Sequence, residues 1–466
     1  MMTTKRLFLT ICVVAGCGGD KTNHLADAPN NPPDSPPDAP PMGPVTLTVT
    51  SQGAPAVGVQ VYFQNPDQSL VASPMTNASG DATATIEIGA FVTAIDPAPP
   101  PVVAFGVPTQ ADSLHTWAGV KPGDHLHLDL FPTGTTPTTG NITVIAPTDA
   151  QATNYQLHTS CGEDFDITPP AVGSGFVAVA NAPVPLTIDL CSANIDLLVE
   201  TFDVESQPLN SFFKANVAIA DGDTVDLTDQ TFATVNTVAF DYSNINIAIT
   251  AVSIAQTLIA GNGVVFNLLG SAPVDGNAAN AVLPIPDVTN AIVVTESDIL
   301  PSDVVSRQRI FDWGPASANF ALDVGGAVLH GYATAPAFDP ASHAVTWQEV
   351  AGVTGDVVLA QYHSFRLDAT LSHDWVWTIA APRAMTPKVG YPVIPTDVFD
   401  FNTNATDSSD VRQLTNAKIP GGYDGIRALI MDDALNGQVA GATGHAVIED
   451  VFQGKLRAKP LRRRRH

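Results

Sequence analysis

Thr46-Leu47-Thr48-Val49-Thr50 shows the architecture of this chain most clearly, because its apolar and polar residues alternate with a period of two. In an extended strand, that period places alternate side chains on opposite faces of a sheet. Similar runs follow at Val59-Gln60-Val61-Tyr62-Phe63 and at Ala82-Thr83-Ala84-Thr85-Ile86-Glu87-Ile88. Helix signals are scarce, so the sequence predicts an all-β protein made of tandem Ig-like β-sandwich modules.

Two turns join these runs, Gly53-Ala54-Pro55-Ala56-Val57-Gly58 and Asn77-Ala78-Ser79-Gly80-Asp81. This order of turns and strands resembles the carboxypeptidase regulatory-like and bacterial Ig-like β-sandwich families, with their G-x-P-x-x-G-V-x-V and S-G-x-A signatures. The resemblance covers only the first module. It implies a sandwich fold and a spacer or interaction role rather than catalysis.

The N-terminus has the features of an export signal. Lys5 and Arg6 precede an apolar stretch, 7–15, which is shorter than the roughly 20 residues needed to span a bilayer. The stretch ends in Val14-Ala15-Gly16-Cys17, which resembles the lipobox of bacterial lipoproteins. The resemblance implies that residues 1–16 are a cleaved signal peptide and that Cys17 carries the lipid, including palmitate. An ordinary secretory signal ending near an unrelated Cys is the alternative.

The segment after Cys17 predicts a tether. Residues 17–44 are rich in Pro and Asp and lack apolar periodicity, so we expect them to be disordered and extended by about 3 Å per residue. Gly18 follows the lipidated Cys, where an Asp would resemble an inner-membrane retention signal. We therefore expect a cell-envelope protein at the outer membrane, on its periplasmic face or at the cell surface.

Charge and cysteine content limit the partners of the body. The formal net charge of −26 disfavours nucleic acid and anionic lipid as ligands. Divalent cations fit this charge, although solubility alone also explains it. Two of the four cysteines lie in the signal region, and we predict a structural disulfide between the other two, Cys161 and Cys191, in an oxidising compartment.

The pattern of strands and turns predicts several modules after the tether. Their predicted limits are 45–133 for the Ig-like or carboxypeptidase regulatory-like sandwich, 138–231 for a sandwich with the disulfide, 232–300 for a β-rich module, 301–454 for a C-terminal β-rich module, and 455–466 for a basic disordered tail. The tail either binds anionic groups such as lipopolysaccharide phosphates, or is a solvated chain end.

Two polar groups are candidate metal sites. His125 and His127 lie two residues apart on a predicted strand, so both imidazoles can reach one metal ion, with any further ligand from a neighbouring strand. A solvated outer face, which Asp129 would share, explains the pattern equally well. The second candidate has oxygen ligands at alternate positions, typical of the start of a calcium loop. These ligands are Asp400, Asn402 and Asn404, and they are followed by Asp407. A polar connecting loop is the alternative, because the Gly and the closing Glu of such loops are absent.

Trp375 and Trp377 flank Val376, so both indoles point to the same side of a predicted strand. Exposed, they would form a platform for carbohydrate stacking. Buried, they would belong to the core, which is the more usual place for Trp.

No catalytic motif stands out, so we expect a non-enzymatic binding, adhesion or structural role in a membrane-anchored lipoprotein. The expected partners are the membrane, through the lipid on Cys17, and either polysaccharide or envelope proteins. The competing hypothesis is a secreted polysaccharide-active hydrolase with its site in the C-terminal module. A third hypothesis is an adhesive stalk stiffened by calcium.

Overall fold

A computed structural model of the chain describes residues 41–51, 54–96, 101–104, 107–130, 138–161, 164–168, 182–246, 248–260, 263–286, 288, 291–299, 306–315, 317, 319–327, 333–349, 355–367, 370–397, 399–427 and 444–452. Cys17 and the basic tail lie outside these residues, as does the predicted tether up to residue 40. Strands dominate the described part of the chain, and its paired sheets fit tandem β-sandwich modules. The predicted all-β fold is therefore confirmed.

Thirty-one strands and two short helices follow one another along the described chain. The first nine strands are β1 (Met42–Ser51), β2 (Ala54–Pro55), β3 (Gln60–Gln64), β4 (Leu70–Ala72), β5 (Asp81–Glu87), β6 (Ala90–Asp96), β7 (Val102–Ala104), β8 (Val107–Val120) and β9 (His125–Asp129). The next eight are β10 (Thr138–Ile145), β11 (Asn154–Thr159), β12 (Asp164–Asp166), β13 (Val184–Leu190), β14 (Asn194–Phe202), β15 (Pro208–Ala218), β16 (Thr224–Asp226) and β17 (Ala233–Thr234).

The remaining elements include two helices of one turn each. They are β18 (Asn236–Ser243), β19 (Ala251–Ala260), β20 (Gly263–Asp275), β21 (Ala278–Ile285), β22 (Ile292–Ile299), β23 (Ser306–Pro315), β24 (Asn319–Asp323), α1 (Val324–Ala327), β25 (Ala333–Asp339), β26 (Ala344–Glu349), β27 (Val357–Arg366), β28 (Ser372–Pro382), β29 (Lys388–Gly390), β30 (Ser408–Lys418), α2 (Gly422–Ile426) and β31 (Gly444–Phe452). Neither described helix is long and apolar enough to cross a bilayer.

The first sandwich confirms the alternation in its opening strand. Val45, Leu47 and Val49 of β1 are buried in one core with Val61 and Phe63 of β3. In its four-stranded sheet, β1 lies between antiparallel β5 and parallel β9. Strand β1 already begins at Met42, earlier than the predicted end of the tether at residue 44, because its first residues pair with the end of β5.

The predicted turn before β5 depends on one glycine. Gly80 has a φ of 79°, in the left-handed region that L-residues avoid. A Cβ at this position would lie 2.3 Å from the main-chain oxygen of Val49. The turn is closed by a hydrogen bond from the Gly80 N–H to the Asn77 carbonyl oxygen, at 2.9 Å. Only glycine combines this conformation with so close an approach of β1.

The second sandwich packs the three-stranded sheet β13-β10-β16 against the five-stranded sheet β12-β11-β14-β15-β17. Cys161 follows β11 and Cys191 follows β13, so the two cysteines lie at the ends of strands in opposite sheets. They form the predicted disulfide, with Cα atoms 5.6 Å apart. The bond is confirmed, and it joins the two layers of this sandwich covalently.

The third sandwich is built around a strand shared by two layers. β20 pairs with β19 along most of its length, and its last residues, Val274 and Asp275, pair with β21. β24, β18 and β21 form one layer, while β20, β19, β22 and β23 form the other. Phe240 and Tyr242 of β18 are buried in one core with Ile254 and Leu258 of β19.

The C-terminal strands continue the sheets of the earlier sandwiches. β23 pairs with β31, and the sheet then runs through β30, β27 and β28 to β8 and β6 of the first sandwich. The three-stranded sheet β25-β26-β29 covers one face, where Trp347, Trp375 and Trp377 are buried. The described residues from Pro41 onwards accordingly belong to one compact unit. The sandwiches are joined by shared sheets, and the limits of the modules stay a prediction.

Replacing Cys161 and Cys191 together with Ser is expected to lower the free energy of unfolding. The bond closes a loop with a sequence separation of 30, for which the chain-entropy model gives about 3–4 kcal/mol. Urea titration followed by far-ultraviolet circular dichroism measures the difference. A reductant should shift the wild-type midpoint in the same way and leave the double variant unchanged. Equal midpoints for oxidised wild type and the variant would contradict a stabilising role.

Candidate functional sites

The predicted histidine pair lies on an edge strand. His125 and His127 of β9 are exposed. Leu126, which lies between them, and Leu128, which follows them, are buried, as the alternation requires. Asp129, expected on the histidine face, is only 9% exposed. Within the described part of the chain, no group of three or more His, Cys, Asp or Glu residues is placed to hold a metal. A metal at this pair stays a prediction, and the geometry favours a solvated face.

The predicted calcium loop encloses a guanidinium group. Arg366, at the end of β27, donates from Nε and Nη2 to the two carboxylate oxygens of Asp407, at 2.8 and 2.7 Å. Its Nη1 donates to the Asp400 carbonyl oxygen at 2.7 Å, and Nη2 also donates to that of Asn402 at 3.1 Å. The side-chain oxygen of Asn404 accepts from Thr406 instead.

Because the Asp407 side chain is fully buried against Arg366, the positive charge in this loop comes from the protein itself. The guanidinium carbon also lies 5.4 Å from the ring centre of Trp375 and 5.3 Å from that of Phe399. The calcium site at Asp400, Asn402, Asn404 and Asp407 is therefore wrong. The residues form a connecting loop that Arg366 fastens to the sheet.

The tryptophan pair belongs to the core. Trp375 and Trp377 are both fully buried on β28. The Nε1–H of Trp377 donates to the Thr116 hydroxyl at 2.8 Å, so its polar edge is satisfied inside the protein. A carbohydrate-stacking platform at these residues is wrong, because neither indole face reaches solvent.

An ionic cluster around the buried side chain of His158 lies in the second sandwich. His158 of β11 has Nδ1 2.6 Å from an Asp164 oxygen and Nε2 3.0 Å from a Glu200 oxygen. Burial alone lowers the pKa of His158, but the hydrogen bonds and charges of Asp164 and Glu200 outweigh it and raise the pKa to about 9. The two acids thus favour the protonated imidazole, which links β11 to Asp164 of β12 and Glu200 of β14.

A second histidine links three strands of the shared sheet. His363 of β27 lies between Asp410 of β30, at 2.9 Å from Nδ1, and Asp374 of β28, at 2.7 Å from Nε2. Arg412 also contacts Asp410, at 3.1 Å. Because both ring nitrogens are occupied by carboxylates, this cluster holds neighbouring strands together.

A cavity of about 300 Å³ opens at the third sandwich. A row of polar side chains crosses the layer there, because Gln256 of β19 is opposite Thr295 of β22, which is opposite Asp312 of β23. Nε2 of Gln256 donates to the Thr295 hydroxyl at 3.3 Å. The residues that line the cavity are Val238, Gln256, Val293, Thr295, Asp312, Trp313, Gly314, Pro315, Ser317, Asn319, Phe320 and Ala321.

The polar row of the cavity was not predicted from the sequence, although the strand sequences contain a signal for it. Gln256 lies two residues from Ile254 and from Leu258, both of which are buried in the core. The same holds for Asp312 beside Ile310 and for Thr295 beside Val293. A polar residue at the inward position of an alternating strand departs from the usual pattern, and such departures mark candidate sites.

Comparison with known proteins places the chain in no family. No protein-family model matches it, and no curated protein matches it. Among solved structures, the Bacillus anthracis TIE protein is 10% identical, with a TM-score of 0.15, over 60% of this chain and 50% of that one. The chain thus spans about half the length of that protein.

Two pilin structures are also similar at a low level. The shaft pilin SpaA from Lactobacillus rhamnosus GG is 13% identical, with a TM-score of 0.14, over 41% of this chain and 100% of that one. A streptococcal ancillary pilin is 10% identical, with the same TM-score, over 61% and 98%. Values this low establish no shared function.

Replacing Arg366 with Gln is expected to lower the free energy of unfolding by about 3–5 kcal/mol, because it leaves the buried carboxylate of Asp407 without its partner. Adding Asp407→Asn should recover part of the loss, whereas Arg412→Gln, at an exposed position, should cost little. Chemical denaturation measures all three. Calcium should leave the melting temperature of the wild type unchanged, and a rise that Asp407→Asn abolishes would contradict the loop described above.

The His158 cluster predicts a pH dependence of stability. The pKa of His158 is 6.5 in an unfolded chain and about 9 in the fold, so its contribution is complete below about pH 6.5 and is lost as the pH rises through about 9. The loss should be at most about 3 kcal/mol. Urea midpoints across this range should fall for wild type and for His125→Gln, an exposed control. In His158→Gln the urea midpoint should decrease much less over the same pH range. A decrease as large as that of the wild type would exclude His158 as its cause.

Proposed function

We propose that the protein is a lipoprotein held to the bacterial cell envelope by acyl chains on Cys17, and that its body has a non-enzymatic binding, adhesion or structural role. The observation that carries this proposal is the lipobox Val14-Ala15-Gly16-Cys17, placed between a short apolar stretch and a Pro-rich and Asp-rich segment. Such a segment spaces a folded body away from the membrane surface.

The disulfide supports export. Cys161 and Cys191 form the covalent link between two sheets, and bonds of this kind form and persist in oxidising compartments such as the periplasm or the cell surface. The formal net charge of −26 supports a body that stays away from anionic lipid. Attachment through a lipid on a single residue is consistent with both features.

The binding role is favoured over the hydrolase because of where the aromatic residues lie. A polysaccharide-active site in the C-terminal module would need exposed indoles beside carboxylates, but all four tryptophans among its described residues are buried, including the one at position 313 next to Asp312. In the described part of that module, the acids Asp407 and Asp410 are engaged with Arg366 and His363. We therefore propose envelope proteins or polysaccharide as partners, with delivery to the outer membrane because Gly18 follows Cys17.

Metabolic labelling with radioactive palmitate tests the anchor. The wild type should be labelled, and Cys17→Ala should lose the label because it removes the acceptor thiol of the lipobox. Cys12→Ala is the matched control, since Cys12 lies in the same signal region but not in the lipobox. Mass spectrometry of the mature protein should find an acylated N-terminal Cys17. Equal labelling of wild type and Cys17→Ala, or an unmodified N-terminus elsewhere, would contradict the proposal.

A further inference from the structure

The cavity of the third sandwich is polar where a sandwich core is normally apolar. Gln256 is 2% exposed and Thr295 is 4% exposed, and both lie on the inner face of their strands. Oε1 of Gln256 has no hydrogen-bond partner among the described residues. A buried amide oxygen without a donor is unfavourable, so a ligand that donates a hydrogen bond there would stabilise the site.

The remaining groups define the chemistry of that ligand. Asp312 adds a carboxylate, and Ser317 and Asn319 lie at the cavity wall, where the Ser317 hydroxyl donates to the Asn319 carbonyl oxygen at 2.9 Å. These groups both accept and donate hydrogen bonds, as the hydroxyl groups of a ligand also do. None of the described lining residues is Lys, Arg or His, so anionic ligands are disfavoured.

The apolar part of the wall suits the carbon face of a ring. Phe320 of β24 and Val238 of β18 form the wall together with Pro315. Phe320 is held in place by Phe240 and Tyr242, at ring-centre distances of 5.5 and 6.0 Å. The volume of about 300 Å³ lies at the lower end of that of small-molecule pockets, roughly 300–1,000 Å³, and suits one or two sugar rings.

We propose that this cavity binds a neutral polyhydroxylated ligand, a sugar unit, with its hydroxyl groups donating to Gln256 and Asp312 and one ring face against Phe320. The inference deepens the binding role proposed above and rests on it. Its test is separable, because a sugar titration reports on the cavity whether or not Cys17 carries lipid.

Ligand-observed saturation-transfer NMR on the full mature protein tests the proposal, in a detergent without a sugar headgroup. The probes are glucose, galactose and N-acetylglucosamine, with tetramethylammonium as a smaller, cationic probe. We expect at least one sugar to bind with a Kd of the order of 1 mM. We expect the cation not to bind at the same concentration.

Two variants and one matched control locate the binding. Gln256→Leu removes the amide whose oxygen has no partner, and Ser317→Trp places a large side chain at the exposed wall, so each should weaken sugar binding at least about 10-fold. Gln361→Leu is the control, because Gln361 donates to Thr378 at 3.0 Å much as Gln256 donates to Thr295, but it lies on β27, away from the cavity. Circular dichroism and thermal midpoints verify that each variant folds.

Three outcomes would overturn the proposal. They are no binding of any of the three sugars at about 50 mM, sugar binding that neither cavity variant weakens, and selective binding of tetramethylammonium. Retained palmitate labelling with any of these results would leave the anchor intact and remove only the sugar site. Loss of palmitate labelling with sugar binding retained would remove the anchor and leave the sugar site intact.

Discussion

The architecture depends on the parallel pairing of β8 with β28. The register runs from Thr109 opposite Ser372 to Trp117 opposite Ala380, and the Trp377 indole donates to Thr116 across 261 residues of chain. This contact joins the first sandwich and the C-terminal strands in one sheet, so that their cores form next to each other. Pairing over such a separation closes a very long loop, which costs entropy and slows folding. The burial of Trp375, Trp377 and Ile379 on one face of β28 offsets that cost, at about 1.5–3 kcal/mol for each apolar side chain.

Local patterns in the sequence predicted the strands but not their partners. The alternation of Leu47 and Val49 in β1, and of Leu126 and Leu128 in β9, correctly identified the buried positions. The turn at Gly80 and the Cys161–Cys191 bond were also correct. The alternation and the turn depend only on residues that are close together in the chain. The disulfide was predictable because only two cysteines lie outside the signal region. The parallel partnership of β1 with β9, or of β8 with β28, depends on tertiary geometry, which no local period encodes.

The calcium prediction was wrong for a related reason. Oxygen ligands at alternate positions from Asp400 to Asn404, followed by Asp407, suit any cation, and the sequence does not show which cation comes near. The end of β27 brings Arg366 to them, 41 residues before Asp407. A guanidinium group satisfies a carboxylate and two carbonyl oxygens in fixed directions, so it orders the loop without a metal. His158 does the same between Asp164 and Glu200. In this acidic protein, Arg366 and His158 thus serve as internal cross-links.

The location of a ligand site follows from where the core is filled by apolar side chains and where it is polar. Where the core is filled, as around Trp375 and Trp377, the aromatic side chains contact one another and leave no surface for a partner. Where the inward positions carry Gln256, Thr295 and Asp312, packing is interrupted and a cavity remains. A row of three polar residues on adjacent strands is unfavourable for folding unless something else is gained, because each buried polar group must recover the hydrogen bonds it made to water. The hydroxyl groups of a bound ligand can supply these hydrogen bonds. The proposed recognition site therefore lies in the third sandwich, away from the aromatic-rich C-terminal strands.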